Sequence, residues 1–362
     1  MRIENLIFLG AGASHSEGAS IQAKLFSDFF ITHANISDLK IIRIKQNIQN
    51  FLNTFFGFDF RFNEQIDKNF PTFEEALGIL ELAIQKNECF RNFENISIIR
   101  DDLISLIALT IKEKLIEFPN NHSRLLERLK RENNLLKTSF ISLNYDIIID
   151  NRLTELYPEY HLDYGIDFIN YEELDEAKRN RTYNEDEYWS RPNPEKAIKL
   201  FKLHGSLNWL YCPVCLNMRL TPKEKSGSRI MIMPQKCEVC SGSLTYIIIP
   251  PTFFKVMSNH YLRQVWFDAE KSLRNIKKIY FCGYSFPDAD IHIKYLLKRI
   301  ELSLHNDLEI YIINWHENKS KHQAELEKER YLRFFKDKDI IHYKELSFQD
   351  FCRIGIESAE DF

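Results

Sequence analysis

Four of the seven cysteines stand in two Cys-x-x-Cys pairs, Cys212 with Cys215 and Cys237 with Cys240. Two thiolates held close by each short turn suit the tetrahedral coordination of Zn2+. The stretch between the pairs is slightly longer than in a usual zinc ribbon. A redox dithiol needs only one pair and leaves the second unexplained. Because four cysteines fill the coordination sphere, the sequence predicts a structural Zn2+ without an open catalytic position.

A glycine-containing turn, Gly10-Ala-Gly-Ala-Ser14, follows the first apolar run. Glycine lets a backbone approach a pyrophosphate closely, and the N–H groups that open the following helix can bind it. However, His15 replaces the third glycine of a dinucleotide fingerprint, and no convincing ribose-binding acid follows at the usual distance. The turn alone therefore leaves two interpretations, a phosphate site or a tight strand-to-helix connection. Ser14 could likewise bind a phosphate or cap the helix.

Four further apolar runs that predict strands also end in polar residues. They end in Asn144 and Asp146 after 139–143, His204 after 198–203, Gly283 and Ser285 after 279–282, and Asn314 after 308–313. In open parallel sheets, ligands bind at the carboxyl ends of the strands. These endings therefore predict one shared site. A neutral imidazole beside an amide and a carboxylate could deprotonate a water or a ribose hydroxyl, although a lone histidine is more often structural.

The elements that carry these endings alternate between strands and helices, with helical segments predicted at 259–275 and 291–304. This alternation predicts an α/β fold with a Rossmann-like, mostly parallel sheet and helices on both faces. Between the first two strands, residues 41–56 repeat apolar side chains at helical spacing. Thr72 and Glu75 form a capping box before 74–84. Segments 97–118 and 123–135 continue the helical period.

The chain is therefore predicted to contain three parts. We assign 1–30, 137–207 and 244–362 to the Rossmann-like domain, 31–136 to an all-helical insertion and 208–243 to the zinc module. The polar stretch 171–196 is predicted to be a solvated connection, with a lid over the site as the alternative. The charged stretch 317–339 is predicted to be an exposed helix with opposite-charge pairs.

Composition excludes several classes of protein. The 362 residues are 44% hydrophobic and 28% charged, with a net charge of −4, which is typical of a globular protein and not of a disordered or collagenous one. The charge balance predicts no direct nucleic-acid binding, since basic residues between the cysteine pairs are more simply solvated. No apolar run is long enough to span a membrane. With no signal peptide recognised and an odd cysteine count, we expect a cytoplasmic protein.

Taken together and in order, these motifs resemble the sirtuin family and its bacterial sirtuin-like relatives. The resemblance rests on 10–14, Asn144-Tyr-Asp146, Lys202-Leu-His-Gly-Ser206, the two cysteine pairs, Gly283-Tyr-Ser285 and Asn314. It implies a domain that binds NAD+ as substrate, beside a zinc module and a helical module. Carried over by position, the NAD+ phosphates would be held by Gly10, Ala11, Gly12, Ala13 and Ser14. Asn144 and Asp146 would organise the nicotinamide ribose and the nicotinamide pocket, and His204 would be the catalytic histidine. Gly283 and Ser285 would line the phosphate and ribose path, and Asn314 would bind the adenosine ribose.

Departures from the family pattern decide which relatives are favoured. Deacylating sirtuins carry a Gly-Ile-Pro-Asp-Phe-Arg-like segment where this chain has 18–24, and a Phe-Gly-Glu stretch where it has 249–255. The helical insertion and the Pro-Pro-Thr-x-x-Lys pattern resemble instead the sirtuin-like domains of bacterial antiviral defence systems, which typically hydrolyse NAD+. Those domains usually lack a zinc module, so the intact cysteine pairs favour the deacylating sirtuins instead.

The resemblance thus implies an NAD+ hydrolase (NADase) that yields nicotinamide and ADP-ribose as a regulated effector of antiphage defence. We expect control by a protein partner encoded nearby or by homo-oligomerisation, because an unregulated NADase would deplete its own cell. Two alternatives stay open. An NAD-dependent protein deacylase would agree with the zinc module, and a non-catalytic sensor of NAD+ or ADP-ribose would need no histidine.

Overall fold

Seven strands in the described part of the chain form one sheet in the order β10-β9-β8-β1-β2-β4-β3. A computed structural model describes residues 3–20, 24–60, 70–90, 95–114, 121–169, 194–221, 236–248, 260–303, 308–316 and 319–361. The strands are β1 Asn5–Leu9, β2 Thr138–Ser142, β3 His161–Asp163, β4 Ala197–Lys202, β5 Gly205–Tyr211, β6 Met218–Leu220, β7 Thr245–Ile248, β8 Lys278–Cys282, β9 Glu309–Ile313 and β10 Ile341–Lys344.

Helices connect most of these strands. They are α1 Ala11–His15, α2 Leu25–Thr32, α3 Leu39–Phe56, α4 Phe73–Lys86, α5 Ile96–Lys114, α6 Asn121–Arg131, α7 Ile148–Leu156, α8 His260–Ser272, α9 Ile291–Ser303, α10 Lys321–Phe334 and α11 Phe348–Asp361. Every strand pair described in the large sheet is parallel. The predicted α/β class with a mostly parallel sheet is therefore confirmed.

The centre of the sheet is covered on both faces. All residues of β1 and β2 are buried, although successive side chains of a strand point to opposite faces. We call the apolar side chains around this sheet the main core; Phe8, Phe140, Phe201, Phe281 and Ile312 are among its members. Continuous apolar runs, and not alternating ones, are what a strand with two buried faces requires.

Helices α2–α5 form a separate layer, here called the helical layer. Their apolar faces meet in a second cluster, the helical core, whose members include Phe29, Phe51, Leu77 and Leu103. The predicted capping box is present at the start of α4. Glu75 N donates to Thr72 Oγ1 at 3.2 Å, and Thr72 N donates to Glu75 Oε2 at 2.7 Å. The apolar side chains that recur at helical spacing in the sequence thus lie on the helix faces that pack together in the helical core.

Packing near the ends of the helical layer bears on the division into domains, which itself stays a prediction. Leu25 and Phe26 of α2 belong to the helical core. In contrast, Leu125, Leu126 and Leu129 of α6 belong to the main core. The helical layer therefore packs as α2–α5, and α6 packs with the sheet.

A small antiparallel sheet carries the cysteine pairs. Strands β6 and β7 flank β5, and Trp209, Met218 and Ile247 of this sheet pack into the main core. The small sheet is therefore packed against the large sheet. Among the described helices, none is both long and apolar enough to cross a membrane.

Candidate active site and metal centre

The register of β2 against β4 brings two predicted catalytic residues to the same edge of the sheet. Ser142 pairs with Lys202. Asn144 and His204 each lie two residues beyond that pair. Because parallel strands end at the same edge, the loops that carry both residues are neighbours.

The other half of the sheet brings the remaining predicted residues to this edge. Leu9 pairs with Cys282, so Gly10 and Gly283 are the next residues on two neighbouring strands. Cys282 also pairs with Ile313, and Asn314 follows directly.

A chain of side-chain hydrogen bonds joins three of the predicted residues. Asn144 Nδ2 donates to Ser14 Oγ at 2.6 Å, and Ser14 Oγ donates to Asp146 Oδ2 at 2.6 Å. Asn144 Nδ2 also donates to the Gly10 carbonyl at 2.9 Å, and a carbonyl only accepts, so the orientation of the amide is fixed. Asp146 Oδ1 accepts from Ile148 N at 3.1 Å. Ser14 therefore neither caps α1 nor turns outward; it connects the glycine turn to Asn144 and Asp146.

The glycine turn is locked against the loop after β8. Gly12 N donates to the Gly283 carbonyl at 2.9 Å. A Cβ on Gly283 would lie 2.5 Å from Ala13 N and 2.6 Å from Gly12 C, and Gly283 has φ +60°. The two backbones therefore touch where no side chain fits. The Gly12 amide is used in this contact, while the Ala11 and Gly12 residues are exposed at the surface of the turn.

His204 is buried at the end of β4, beside Tyr145. The two ring centroids are 6.4 Å apart, and Leu207 N donates to the Tyr145 carbonyl at 3.0 Å. Burial raises the pKa of Tyr145 well above its usual range, and the carboxylates of Glu74, Asp290 and Glu81 add to this effect. Tyr145 and Leu207 also belong to the helical core. The two loops that carry Asn144 and His204 are thus packed directly against the helical layer.

Asn314 is buried and engaged at the same edge. Its Nδ2 donates to the Tyr284 carbonyl at 2.9 Å and to Glu327 Oε1 at 2.7 Å. Lys319 Nζ donates to Glu327 Oε2 at 2.5 Å. Asn314 is therefore fixed against the loop after β8. Ser285 is exposed, and no side-chain hydrogen bond joins it to the other predicted residues that the structure describes.

The sequence analysis assigned no role to several residues in this region. Tyr284 and Asp290 are both buried, and Tyr284 Oη donates to Asp290 Oδ2 at 2.7 Å. Lys202 and Asp150 form a buried ion pair, with 3.6 Å between Lys202 Nζ and Asp150 Oδ2. For Lys202 and Tyr284 the available signal was a polar residue at the end of an apolar strand or just after one.

The four predicted cysteines lie together. Their sulfur atoms are all within 4.8 Å of one another. Each pair sits in the same kind of turn. Leu216 N donates to the Cys212 carbonyl and Ser241 N donates to the Cys237 carbonyl, both at 2.8 Å. The fifth residue of each turn adopts a left-handed conformation, Leu216 with φ 62° and Ser241 with φ 60°.

This cluster fits a tetrahedral metal ion. A Zn–S bond of about 2.3 Å places the sulfurs of a tetrahedron about 3.8 Å apart. Here the sulfurs of Cys212 and Cys240 are 3.4 Å apart, and those of Cys215 and Cys237 are 3.5 Å apart. The backbone N–H of Cys215 lowers the pKa of the Cys212 thiol to about 6, and that of Cys240 lowers the pKa of Cys237. The backbone N–H of Gly242 acts in the same direction on Cys240, but the neighbouring cysteine sulfurs raise its pKa to about 12. Thiolates are the form that binds metal. The four cysteines could therefore hold a structural Zn2+.

The metal centre is separated from the sheet edge. Strand β5 runs from Gly205, next to His204, to Tyr211, next to Cys212. At about 3.3 Å per residue, a strand of this length keeps the metal roughly 20 Å from the histidine. A metal here would therefore stabilise the fold and lie far from His204.

Replacing Cys237 with serine should release the metal and destabilise the protein. Three remaining thiolates bind zinc more weakly, and loss of a structural metal costs about 3 kcal/mol or more in the free energy of unfolding. Metal content by mass spectrometry and the urea midpoint measure both effects. Cys89→Ser, a change of an exposed cysteine outside the cluster, is the matched control. Unchanged zinc content in Cys237→Ser would contradict a four-cysteine site.

Several sequence predictions lie outside the described residues. These are most of the polar connection 171–196, the segment 249–255 and residues 21–23 of the stretch after the glycine turn.

No family model and no curated protein matches the chain. Among solved structures it is similar to Sir2Tm bound to a propionylated peptide, with 12% identity and a TM-score of 0.41, over 97% of this chain and 90% of that chain. A structure of Sir2 with a p53 peptide and NAD+ gives the same values. Sir2 in complex with the inhibitor EX-527, 2'-O-acetyl-ADP-ribose and deacetylated p53 peptide gives 14% identity and a TM-score of 0.40, over 97% and 91%. Similarity at this level does not assign the chain to a family or an activity.

Proposed function

We propose that this protein cleaves the bond between nicotinamide and ribose in NAD+, with water as the acceptor. The observation that carries the proposal is the hydrogen-bonded chain from Asn144 through Ser14 to Asp146. It lies directly behind a glycine turn and next to the loop that presents His204. An amide, a carboxylate and an imidazole at the carboxyl edge of a parallel sheet are suited to bind and hydrolyse a nucleotide.

The glycine turn would bind the pyrophosphate. Ala11 and Gly12 are exposed and carry no large side chain, and Gly10 and Ala13 are buried beside them, so phosphate oxygens can approach the backbone of the turn. Gly283 lies against this turn and would border the same path. Ser285 and Asn314, from the two strands beyond, would then line the ribose and adenosine end of the substrate.

The reaction would proceed through an oxocarbenium-like ribose, as glycosidic cleavage does. The carbon–nitrogen bond breaks, and its electron pair leaves with nicotinamide, which becomes neutral. The oxygen of water bonds to the ribose carbon, and His204 takes its proton. Asn144 would orient the water or a ribose hydroxyl. Asp146 would contribute negative charge near the developing cation and hold Asn144 in place through Ser14.

We further propose that the activity serves as an NAD-depleting effector in bacterial antiphage defence. The large helical layer and the sirtuin-like motifs support this role. Since the helical core includes Tyr145 and Leu207, a partner protein or a second copy bound to the helical layer could act on the loops of the site. Such control is what an enzyme that consumes its own cell's NAD+ requires.

One observation favours a second candidate. The four-cysteine cluster agrees with an NAD-dependent protein deacylase, in which an acyl-lysine peptide replaces water as the acceptor. A sensor that binds NAD+ or ADP-ribose without turnover is the third candidate.

One assay separates the three functions. Purified protein is incubated with NAD+ alone, with NAD+ plus an acetyl-lysine peptide, and with NAD+ plus a protein encoded next to it, and nicotinamide release is measured. Release without peptide supports the hydrolase. Release that strictly requires the peptide overturns it in favour of the deacylase. Binding of NAD+ by calorimetry without any release supports the sensor.

A further inference from the structure

We propose that Lys202 is a positioning residue that fixes the backbone of Asp146 and thereby the hydrogen-bonded chain that holds Asn144. Lys202 is the last residue of β4, and its side chain is 0% exposed. Its Nζ donates to the backbone carbonyl of Asp146. The inference deepens the proposed function, because it concerns the same site, but the geometry does not depend on NAD+ cleavage.

A buried ammonium group at this place needs an explanation. Removing a charge from water is costly unless it is paired, and an apolar side chain of similar volume would often be at least as stable. Leu200, two residues earlier and therefore on the same face of β4, is apolar and buried. The strand could therefore accommodate an apolar residue at 202. A lysine there instead gives the site a directed donor.

The counter-charge comes from Asp150, on the first turn of α7. Asp150 Oδ2 is 3.6 Å from Lys202 Nζ, and Asp150 Oδ1 accepts from Tyr164 Oη at 2.5 Å. Asn208 Nδ2 donates to Tyr164 Oη at 3.2 Å. This network joins β4, β5, α7 and the loop after β3, so the counter-charge of Lys202 is itself held in place by several elements.

Asp146 is consequently held at both ends. Its backbone carbonyl accepts from Lys202, while its carboxylate accepts from Ser14 Oγ at 2.6 Å and from Ile148 N at 3.1 Å. Ser14 in turn accepts from Asn144. A shift of the Asp146 backbone therefore moves the last acceptor of the chain that orients Asn144.

The test compares three variants. Lys202→Met alone leaves Asp150 buried without its counter-charge, and we expect its melting temperature to fall by about 10 °C. The double variant Lys202→Met/Asp150→Asn removes both charges, and its melting temperature should stay within about 4 °C of the wild type. Lys199→Met is the matched control: Lys199 lies on the same strand, and its Nζ donates to Ser272 Oγ at 2.7 Å.

Two readouts distinguish positioning from mere stability. Hydrogen exchange of the Ile148 and Leu207 amides should be about tenfold faster in the double variant, while amides of β1 keep their protection. Nicotinamide release should fall about 100-fold in kcat with little change in KM, because misplaced catalytic groups react slowly even when substrate binds. Lys199→Met should retain wild-type exchange at both amides.

Each outcome decides one question. Wild-type exchange of both amides in the stable double variant would overturn the positioning role. If the wild type releases no nicotinamide but the double variant exchanges these amides faster, the positioning of Asp146 is upheld and the proposed function is rejected. Faster exchange with full activity would overturn the inference that this positioning serves catalysis.

Discussion

Replacing His204 with alanine should abolish nicotinamide release while the protein stays folded. His204 is the residue proposed to take the proton from water, and a general base contributes about 100- to 10,000-fold to a rate. Its side chain is buried beside Tyr145, so its removal leaves a small cavity and we expect a loss of about 1–3 kcal/mol in the free energy of unfolding. Steady-state nicotinamide release, the urea midpoint and zinc content measure these effects.

His322→Ala is the control for this variant, because His322 is exposed on α10. It should keep both the rate and the stability of the wild type. An unchanged rate of NAD+ cleavage in a folded, metal-loaded His204→Ala protein would remove His204 from the mechanism.

Replacing Gly283 with alanine should disrupt the glycine turn and strongly destabilise the protein. Gly283 has φ +60°, and the added Cβ would lie 2.5 Å from Ala13 N. The left-handed conformation costs alanine about 1–2 kcal/mol, and overpacking against a backbone adds about 1–3 kcal/mol. The free energy of unfolding should therefore fall by about 2–5 kcal/mol. NAD+ affinity, measured by calorimetry on the folded fraction, should fall as well.

Gly57→Ala separates the two causes. Gly57 also has a positive φ, +74°, but an added Cβ would meet no atom within 4 Å. Its cost should be limited to the left-handed conformation, about 1–2 kcal/mol. Equal urea midpoints for the two variants would show that the glycine turn and the loop after β8 are not in close contact.

The sequence allowed prediction of the parts of the fold whose signal is local. Continuous apolar runs located β1, β2, β4, β8 and β9, and Thr72 with Glu75 marked the start of α4. Strand β10 escaped notice because its residues are half-buried at the sheet edge and follow a charged stretch. Strand β5 was hidden because only Leu203 and His204 separate it from β4.

Tertiary partners account for what the sequence could not predict in the site. The stretch 317–339 was predicted to be an exposed helix, and α10 is indeed largely exposed, but Glu327 and Tyr331 are buried. Glu327 is buried because Asn314 and Lys319 satisfy its carboxylate. Similarly, the partners of Lys202 come from other elements. The sequence alone therefore could not predict that this charged residue at the end of a strand contacts the site.

The place of β1 in the sheet has a consequence for how the chain acquires its structure. Asn5 pairs with Thr138 on one side and with Lys278 on the other. The central strand of the sheet thus precedes both of its neighbours in sequence, and it gains β8 only after the residues between Asn5 and Lys278 have been made. Contacts between residues so distant in sequence slow folding and leave apolar strands exposed meanwhile. We therefore expect a slow folding phase. We also expect a need for chaperones as long as the apolar residues Leu6–Leu9 are not yet paired with β8.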